Sequence, residues 1–267
     1  EATLGMAQTS LVVGGICGPL MGGALSHVAG MKNTFYLSAL FLWIVASAVI
    51  FFVREKKGTK TEKPVEKTSI TADLKYAFGN AHVRGLLLIT FFLQTTLLMI
   101  QPVTSLYVSQ LMNHSGNIEL VSGIIMSSGG VAGALTTTLW GKLGQSKGYY
   151  KAITVTLSLA GCITILQSLP DSVIGFGLCQ FLAGCFVIGA NPSINAALVK
   201  FTPSDFRGRV FGLSNTAQQF GNMWGPLLSS AISMAFGLWE VYAAAGLIQL
   251  ALGIIVYAKR VRHRENG

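Results

Sequence analysis

Residues 14–23 read GGICGPLMGG, five glycines and one proline inside an apolar run. Glycine costs a helix in water about 1 kcal/mol relative to alanine, and proline about 3 kcal/mol. In lipid the same composition becomes useful. Small residues let helices approach closely, and neighbouring groups re-satisfy the backbone that proline frees. The rest of the chain agrees. Of 267 residues, 51% are hydrophobic and 11% charged, against about a quarter charged in soluble domains. Mean hydropathy is +0.58. The apolar runs are long and lack period-two alternation, which predicts an all-α membrane protein.

Working outward, a bilayer crossing needs about 20 apolar residues. Eight segments qualify: 5–29, 34–53, 84–110, 119–140, 150–168, 172–199, 209–235 and 239–259. The basic residues then fall into alternate gaps. Arg54, Lys56, Lys57, Lys60, Lys63, Lys67, Lys75 and Arg84 follow the second span. Lys142, Lys147 and Lys151 follow the fourth, and Lys200, Arg207 and Arg209 the sixth. Lys259, Arg260, Arg262 and Arg264 close the chain, and only Lys32 lies in an opposite gap. The positive-inside rule places the basic loops and both chain ends in the cytoplasm. The net charge of +9 does not mark a nucleic-acid binder, because the charges form short clusters rather than one basic face. Residues 54–80, rich in Lys, Glu and Thr, read as a solvated linker between residues 1–53 and residues 81–267. Within that linker, 70–79 has the pattern of a short amphipathic surface helix.

The opening segment recurs. Residues 4–30 lie over 211–237 without a gap, at an offset of 207. Gly5, Thr9, Gly14, Gly18, Pro19, Leu20, Ala24, Ser26 and Gly30 return as Gly212, Thr216, Gly221, Gly225, Pro226, Leu227, Ala231, Ser233 and Gly237. Both copies run from inside to outside, so the repeat is parallel, an arrangement known among secondary transporters. Six spans follow the linker and two precede it. The repeat therefore predicts a parent of twelve spans in two halves, of which this chain, beginning at Glu1, is a piece.

Twelve spans with a basic central loop resemble the major facilitator superfamily. The motif Gly14-x-x-x-Gly18-Pro19-x-x-Gly22-Gly23 is similar to the antiporter motif of helix five in its drug–proton antiporters, and Gly221-x-x-x-Gly225-Pro226 to the echo in helix eleven. WGKLGQSKGYYK (140–151) resembles the cytoplasmic loop motif between helices eight and nine. Gly141, Lys147 and Gly148 fit it, whereas Gln145 stands where the family prefers Asp. SLYVSQL (105–111), GKLG (141–144) and GRVFG (208–212) look closest to MdtG-like multidrug efflux proteins. The resemblance implies eight helices of a twelve-helix fold: two from the N-terminal half and the six-helix C-terminal half. It implies proton-coupled efflux of lipophilic or cationic compounds across a bacterial plasma membrane. The expected partners are a small-molecule substrate, protons and the lipid bilayer. A monomer is expected, with no cofactor, no metal and no nucleic acid.

Polar residues within spans are costly in lipid and face protein or water. Asn215, Gln218, Gln219 and Asn222 follow an i, i+3, i+4, i+7 spacing and share one helix face, with Trp224 nearby. Gln94 and Gln101 in the third span, and Asn191 and Asn195 beside Pro192 in the sixth, join them as candidates for a substrate cavity. Interhelical hydrogen bonding is the other reading of each. Phe91, Phe92, Phe181 and Phe186 are candidates for an apolar lining. All ten acids and all four histidines lie in loops or near span ends. An uncharged half-cavity suits neutral or cationic amphiphiles, and a proton carrier is expected in the spans upstream. Cys17, Cys162, Cys179 and Cys185 lie in apolar runs without zinc spacing and are expected to be buried. No nucleophile–base or metal constellation supports an enzyme. A metabolite carrier and a non-transporting fragment remain as alternatives.

Overall fold

A computed structural model describes residues 2–52 and 70–265. Among them the chain forms nine helices and no strand: α1 (Ala2–Ala29), α2 (Met31–Phe52), α3 (Ile70–Gly79), α4 (Ala81–Leu111), α5 (Ile118–Lys147), α6 (Tyr149–Leu166), α7 (Val173–Lys200), α8 (Arg207–Ala235) and α9 (Leu238–Glu265). Residues 54–69 of the expected linker, with their six basic residues, lie outside the described residues.

Six of these helices are long and apolar enough to cross a membrane: α2, α4, α5, α6, α7 and α9. The apolar described part of α1 is Val13–Ala29. The eighth expected span, α8, has 29 residues, about 44 Å at about 1.5 Å per residue. It falls short in hydropathy rather than in length, because Asn215, Gln218, Gln219 and Asn222 sit in its middle. The ends of the repeat behave alike. Gly30 follows α1 with φ +80° and Gly237 follows α8 with φ +126°. Glycine reaches that left-handed region without a Cβ penalty, so each copy stops at its final shared glycine and a new helix starts at once.

The helices from α4 to α9 form a bundle in which α5 packs on α7, α7 on α6, α6 on α9, α9 on α4, and α4 on α8. Helix α1 lies on the outer side of α5, and α2 leans mainly on α1, with no buried residue. Lipid offers no hydrophobic drive for helix association, so close contact falls to small residues. A Cβ on Gly161 would stand 2.7 Å from the Gly246 carbonyl oxygen, and one on Gly246 would stand 2.7 Å from that of Gly161. This reciprocal fit joins α6 to α9. Between α5 and α7 the fit is one-sided: Gly184 lies against the Gly129 backbone, and Gly129 and Gly133 lie against Gln180 and Ile188.

Two apolar clusters fill the bundle, one at each end. The first gathers Val83, Leu86, Ile153, Leu157, Ile194 and Leu198; the second gathers Met99, Val103, Phe176, Val241 and Tyr242. Polar pairs lock helices between them. Gln249, fully buried, donates from Nε2 to Thr96 Oγ1 at 3.1 Å and accepts from Thr164 Oγ1 at 3.2 Å, tying α9 to α4 and α6. Trp140 Nε1 and Thr136 Oγ1 both donate to the Cys185 carbonyl, at 2.7 and 2.8 Å.

One expectation changes and two are extended. The cysteines are not buried: Cys17 and Cys162 are exposed, and Cys179 and Cys185 half-buried. Apolar sequence alone does not tell a buried cysteine from one left at the surface of these helices. Helix α5 does not stop at residue 140 but continues to Lys147. Continuing the helix satisfies the backbone beyond the apolar stretch, and Gly144 is held against Tyr149 and Ser193. The surface helix over 70–79 forms with the expected bounds and docks. Ala77 is buried, Tyr76 lies 4.2 Å from the Phe206 ring, and Asp73 pairs with Arg209 at 3.4 Å.

Candidate functional site

The antiporter-motif segment meets the bundle at one crossing. On α1, Gly23 is the buried member of its glycine set. A Cβ there would stand 2.5 Å from the Glu119 carbonyl oxygen and 3.3 Å from the Gly123 Cα. A Cβ on Gly123 would in turn run into the Pro19 carbonyl. One turn away from Pro19 along α1, Ser127 Oγ donates to the Ile16 carbonyl at 2.6 Å. Proline at 19 removes an N–H and crowds the carbonyls of the preceding turn. The carbonyl that loses its helical donor is that of Gly15, and the Ser127 hydroxyl from α5 bonds the next carbonyl along, that of Ile16. Gly14, Gly18 and Gly22 do not share this contact. A Cβ on any of them would meet nothing within 4 Å among the described residues.

The echo in α8 packs differently. Gly221 and Gly225 are both buried against α4. A Cβ on Gly221 would stand 2.5 Å from the Phe91 carbonyl oxygen and 2.9 Å from the Gln94 Cβ. One on Gly225 would stand 2.6 Å from the Leu98 Cβ. This brings Gln94 to α8, half-buried at the interface. The polar stripe lies on a neighbouring face of α8. Asn215 and Gln219 are exposed, Gln218 and Asn222 half-buried, and Trp224 exposed. Asn222 Nδ2 donates to Gln219 Oε1 at 2.8 Å, while its own Oδ1 is buried without a hydrogen-bond partner among the described residues. Gln101 and Asn195 are exposed and Asn191 half-buried. No hydrogen bond among the described residues joins these three to the stripe. The stripe is thus an uncharged, open polar face rather than part of an enclosed chamber within these helices.

The loop motif is a helix end. Gly141 lies within α5, Gln145 and Lys147 are exposed on its last turns, and Gly148, at φ +95°, closes α5 and opens α6. The described acids Asp73, Glu119, Asp171, Asp205, Glu240 and Glu265 stand in the surface helix, in connections, in first helical turns or at the end of α9. Among the described residues no group of three or more His, Cys, Asp or Glu could hold a metal ion. Of the aromatic candidates, Phe186 packs on Trp140 at 5.6 Å, Phe91 lines a groove described below, and Phe92 and Phe181 are partly exposed. Sequence reasoning missed Gln249 and Gln167. Gln249 is a polar residue in the otherwise apolar stretch 241–258 of α9, a signal the span count passed over. Gln167 Nε2, just past α6, donates to Gln180 Oε1 at 2.6 Å.

The sequence model of the Major Facilitator Superfamily matches residues 1–170 and 157–267, the full length of the chain in two overlapping pieces. The chain belongs to this superfamily. Among curated relatives, the multi-drug resistance efflux pump PmrA of Streptococcus pneumoniae is 30% identical over 247 residues, 92% of this chain and 61% of its own length. The multidrug resistance protein MdtG of Salmonella arizonae is 30% identical over 262 residues, 98% of this chain and 64% of its own length. The PmrA homolog of Lactococcus lactis is 30% identical over 233 residues, 86% of this chain and 56% of its own length. The chain thus spans less than two thirds of these superfamily relatives.

Proposed function

We propose that the full-length protein is a secondary active exporter that exchanges protons for lipophilic or cationic drug-like compounds across the plasma membrane. The observation that carries this reading is the antiporter-type segment of α1 seated on α5 through Pro19, Gly23, Gly123 and Ser127. The efflux names of the superfamily relatives point the same way. With the basic loops and both ends of this chain in the cytoplasm, the crossing lies towards the outer surface. A crossing of backbone on backbone, without long side chains between, excludes water and can close an outward path. The open stripe of α8 is uncharged, so it suits neutral or cationic ligands and offers an anion no clamp. The described acids stand away from span centres, and this supports a proton carrier in the part of the relatives' length that this chain does not span.

The test is accumulation of a lipophilic cationic dye in cells expressing the full-length protein, with and without a proton gradient. Lower dye content than in vector cells, lost when the gradient is collapsed, is the expected result. Dye content equal to vector cells in both states overturns the reading.

A further inference from the structure

Between α3, α4 and α8 runs a groove of about 350 Å³, within the roughly 300–1,000 Å³ range of small-molecule pockets. Its walls are Leu74 and Phe78 of α3, Leu88 and Phe91 of α4, and Leu213 and Phe220 of α8. The polar groups in the lining are few. The Thr216 hydroxyl is spent on the Gly212 carbonyl at 3.0 Å. Arg84 is the one charged lining residue, and its Nη1 donates to the Phe78 carbonyl at 2.9 Å, which holds the guanidinium at the groove's edge. The groove is not the stripe described above. Leu213 and Asn222 are nine residues apart, two and a half turns at about 3.6 residues per turn, and so lie on opposite sides of α8.

We propose that this groove binds an anionic phospholipid, with an acyl chain along its apolar walls and the phosphate on Arg84. From Arg84 to Phe91 the groove runs about 10 Å up α4 at about 1.5 Å per residue. It therefore starts beside the amphipathic α3 and ends inside the apolar span, straddling a membrane boundary. Basic pockets between membrane helices take anionic headgroups in this way. Other occupants fit less well. Residues 54–69 contain one aliphatic side chain, Val65, beside Pro64, and cannot fill apolar walls. An apolar helix laid over the groove would bury Arg84 without a counter-charge, which is costly. A lipophilic cation would meet like charge. Assignment to the cytoplasmic leaflet rests on the orientation proposed above; binding itself does not.

The full-length protein in mild detergent is titrated with phosphatidylglycerol or phosphatidylcholine of identical acyl chains, and retained lipid is read by native mass spectrometry. Wild type is expected to hold phosphatidylglycerol about fivefold more tightly, the effect of one well-placed cation. Arg84→Gln removes that preference and Arg84→Lys keeps most of it. Ala217→Phe, which fills the groove, weakens both lipids; Leu88→Trp fills it from α4 should the first variant fail to fold. Equal retention of the two lipids by wild type overturns the proposal, as does an Arg84→Gln variant that keeps the preference. Displacement of phosphatidylglycerol by inorganic phosphate also overturns it, because a free-anion site then explains Arg84. Groove-filling variants that fold and bind both lipids normally overturn the acyl-chain placement. No gradient or transport enters the measurement, so a failed efflux assay leaves this result standing, and the reverse.

Discussion

Helices α1 and α8 share a sequence but not a contact. At equivalent positions, Gly14 and Gly18 of α1 meet nothing within 4 Å among the described residues, while Gly221 and Gly225 of α8 are pressed against the backbone of α4. Conversely, Gly23 of α1 is pressed against α5, while its equivalent, Ser230, is exposed. The glycines the two copies share pack α8 within its bundle; the glycine they do not share seats α1 on a different helix. The repeat therefore separates two jobs that a single Gly-x-x-x-Gly-Pro motif appeared to combine. Among the glycines, identity between the copies marks packing inside a bundle and divergence marks the seam between α1 and α5, where the shared Pro19 also lends its carbonyl.

If that division holds, the largest effect comes from the shared glycines of α8. Gly225→Leu drives a side chain into Leu98 and the Thr95 carbonyl. Overpacking costs about 1–3 kcal/mol, and more where the obstacle is backbone that cannot move aside. The expected outcome is loss of folded protein, read as collapse of the monodisperse peak in detergent. Gly23→Leu should come next and differ in kind. It pushes α1 from α5 at the Glu119 carbonyl but leaves α4 to α9 untouched, so the protein stays folded. Dye export then falls about tenfold, and a disulfide between cysteines placed at 16 and 127 forms more slowly. A Gly23→Leu protein that unfolds like Gly225→Leu would erase the distinction between the two copies.

Ser127→Ala tests the same seam more gently. The variant removes the hydroxyl that donates to the Ile16 carbonyl. Interhelical hydrogen bonds in membranes average about 0.6 kcal/mol and reach about 1.7. A drop of about 1 kcal/mol in unfolding free energy is expected. It should shrink in a Pro19→Ala background, where the restored N–H takes over the Gly15 carbonyl and the bend relaxes. A full-sized effect in both backgrounds would detach Ser127 from the proline bend.

Much of this was legible before any coordinates. The spans, the surface helix at 70–79 and the parallel repeat follow from periodicity, charge and glycine placement, which are local signals; that the shared glycines 30 and 237 end their helices was seen only in the structure. The partner of each face was not legible. Gly14 and Gly23 are both glycines in one apolar run, and nothing in their spacing says which meets α5. That depends on Gly123 and Ser127, more than a hundred residues away, where a small residue reads as unremarkable helix. Gln249 escaped for a related reason: one amide in an apolar run changes hydropathy little, yet buried between Thr96 and Thr164 it joins three helices. The cysteines misled because apolar sequence in a membrane protein does not distinguish a lipid-facing side chain from a core one.

The smallest effect belongs to Gly18→Ala, and it is the most informative about what the bare face of α1 is for. Within these helices the new methyl group meets nothing, and alanine favours the helix over glycine by up to about 1 kcal/mol. In the 267-residue chain the α1–α5 disulfide between positions 16 and 127 should therefore form at an unchanged rate. In the full-length protein the repeat makes a different demand. The equivalent Gly225 stands against α4, so Gly18 should stand against the helix that corresponds to α4 in the other copy. The same alanine is then expected to lower unfolding stability there, in proportion to how closely that helix approaches. Stability unchanged in both lengths would mean that the shared glycines of α1 have no partner corresponding to α4, and that the repeat preserves sequence without preserving its contact.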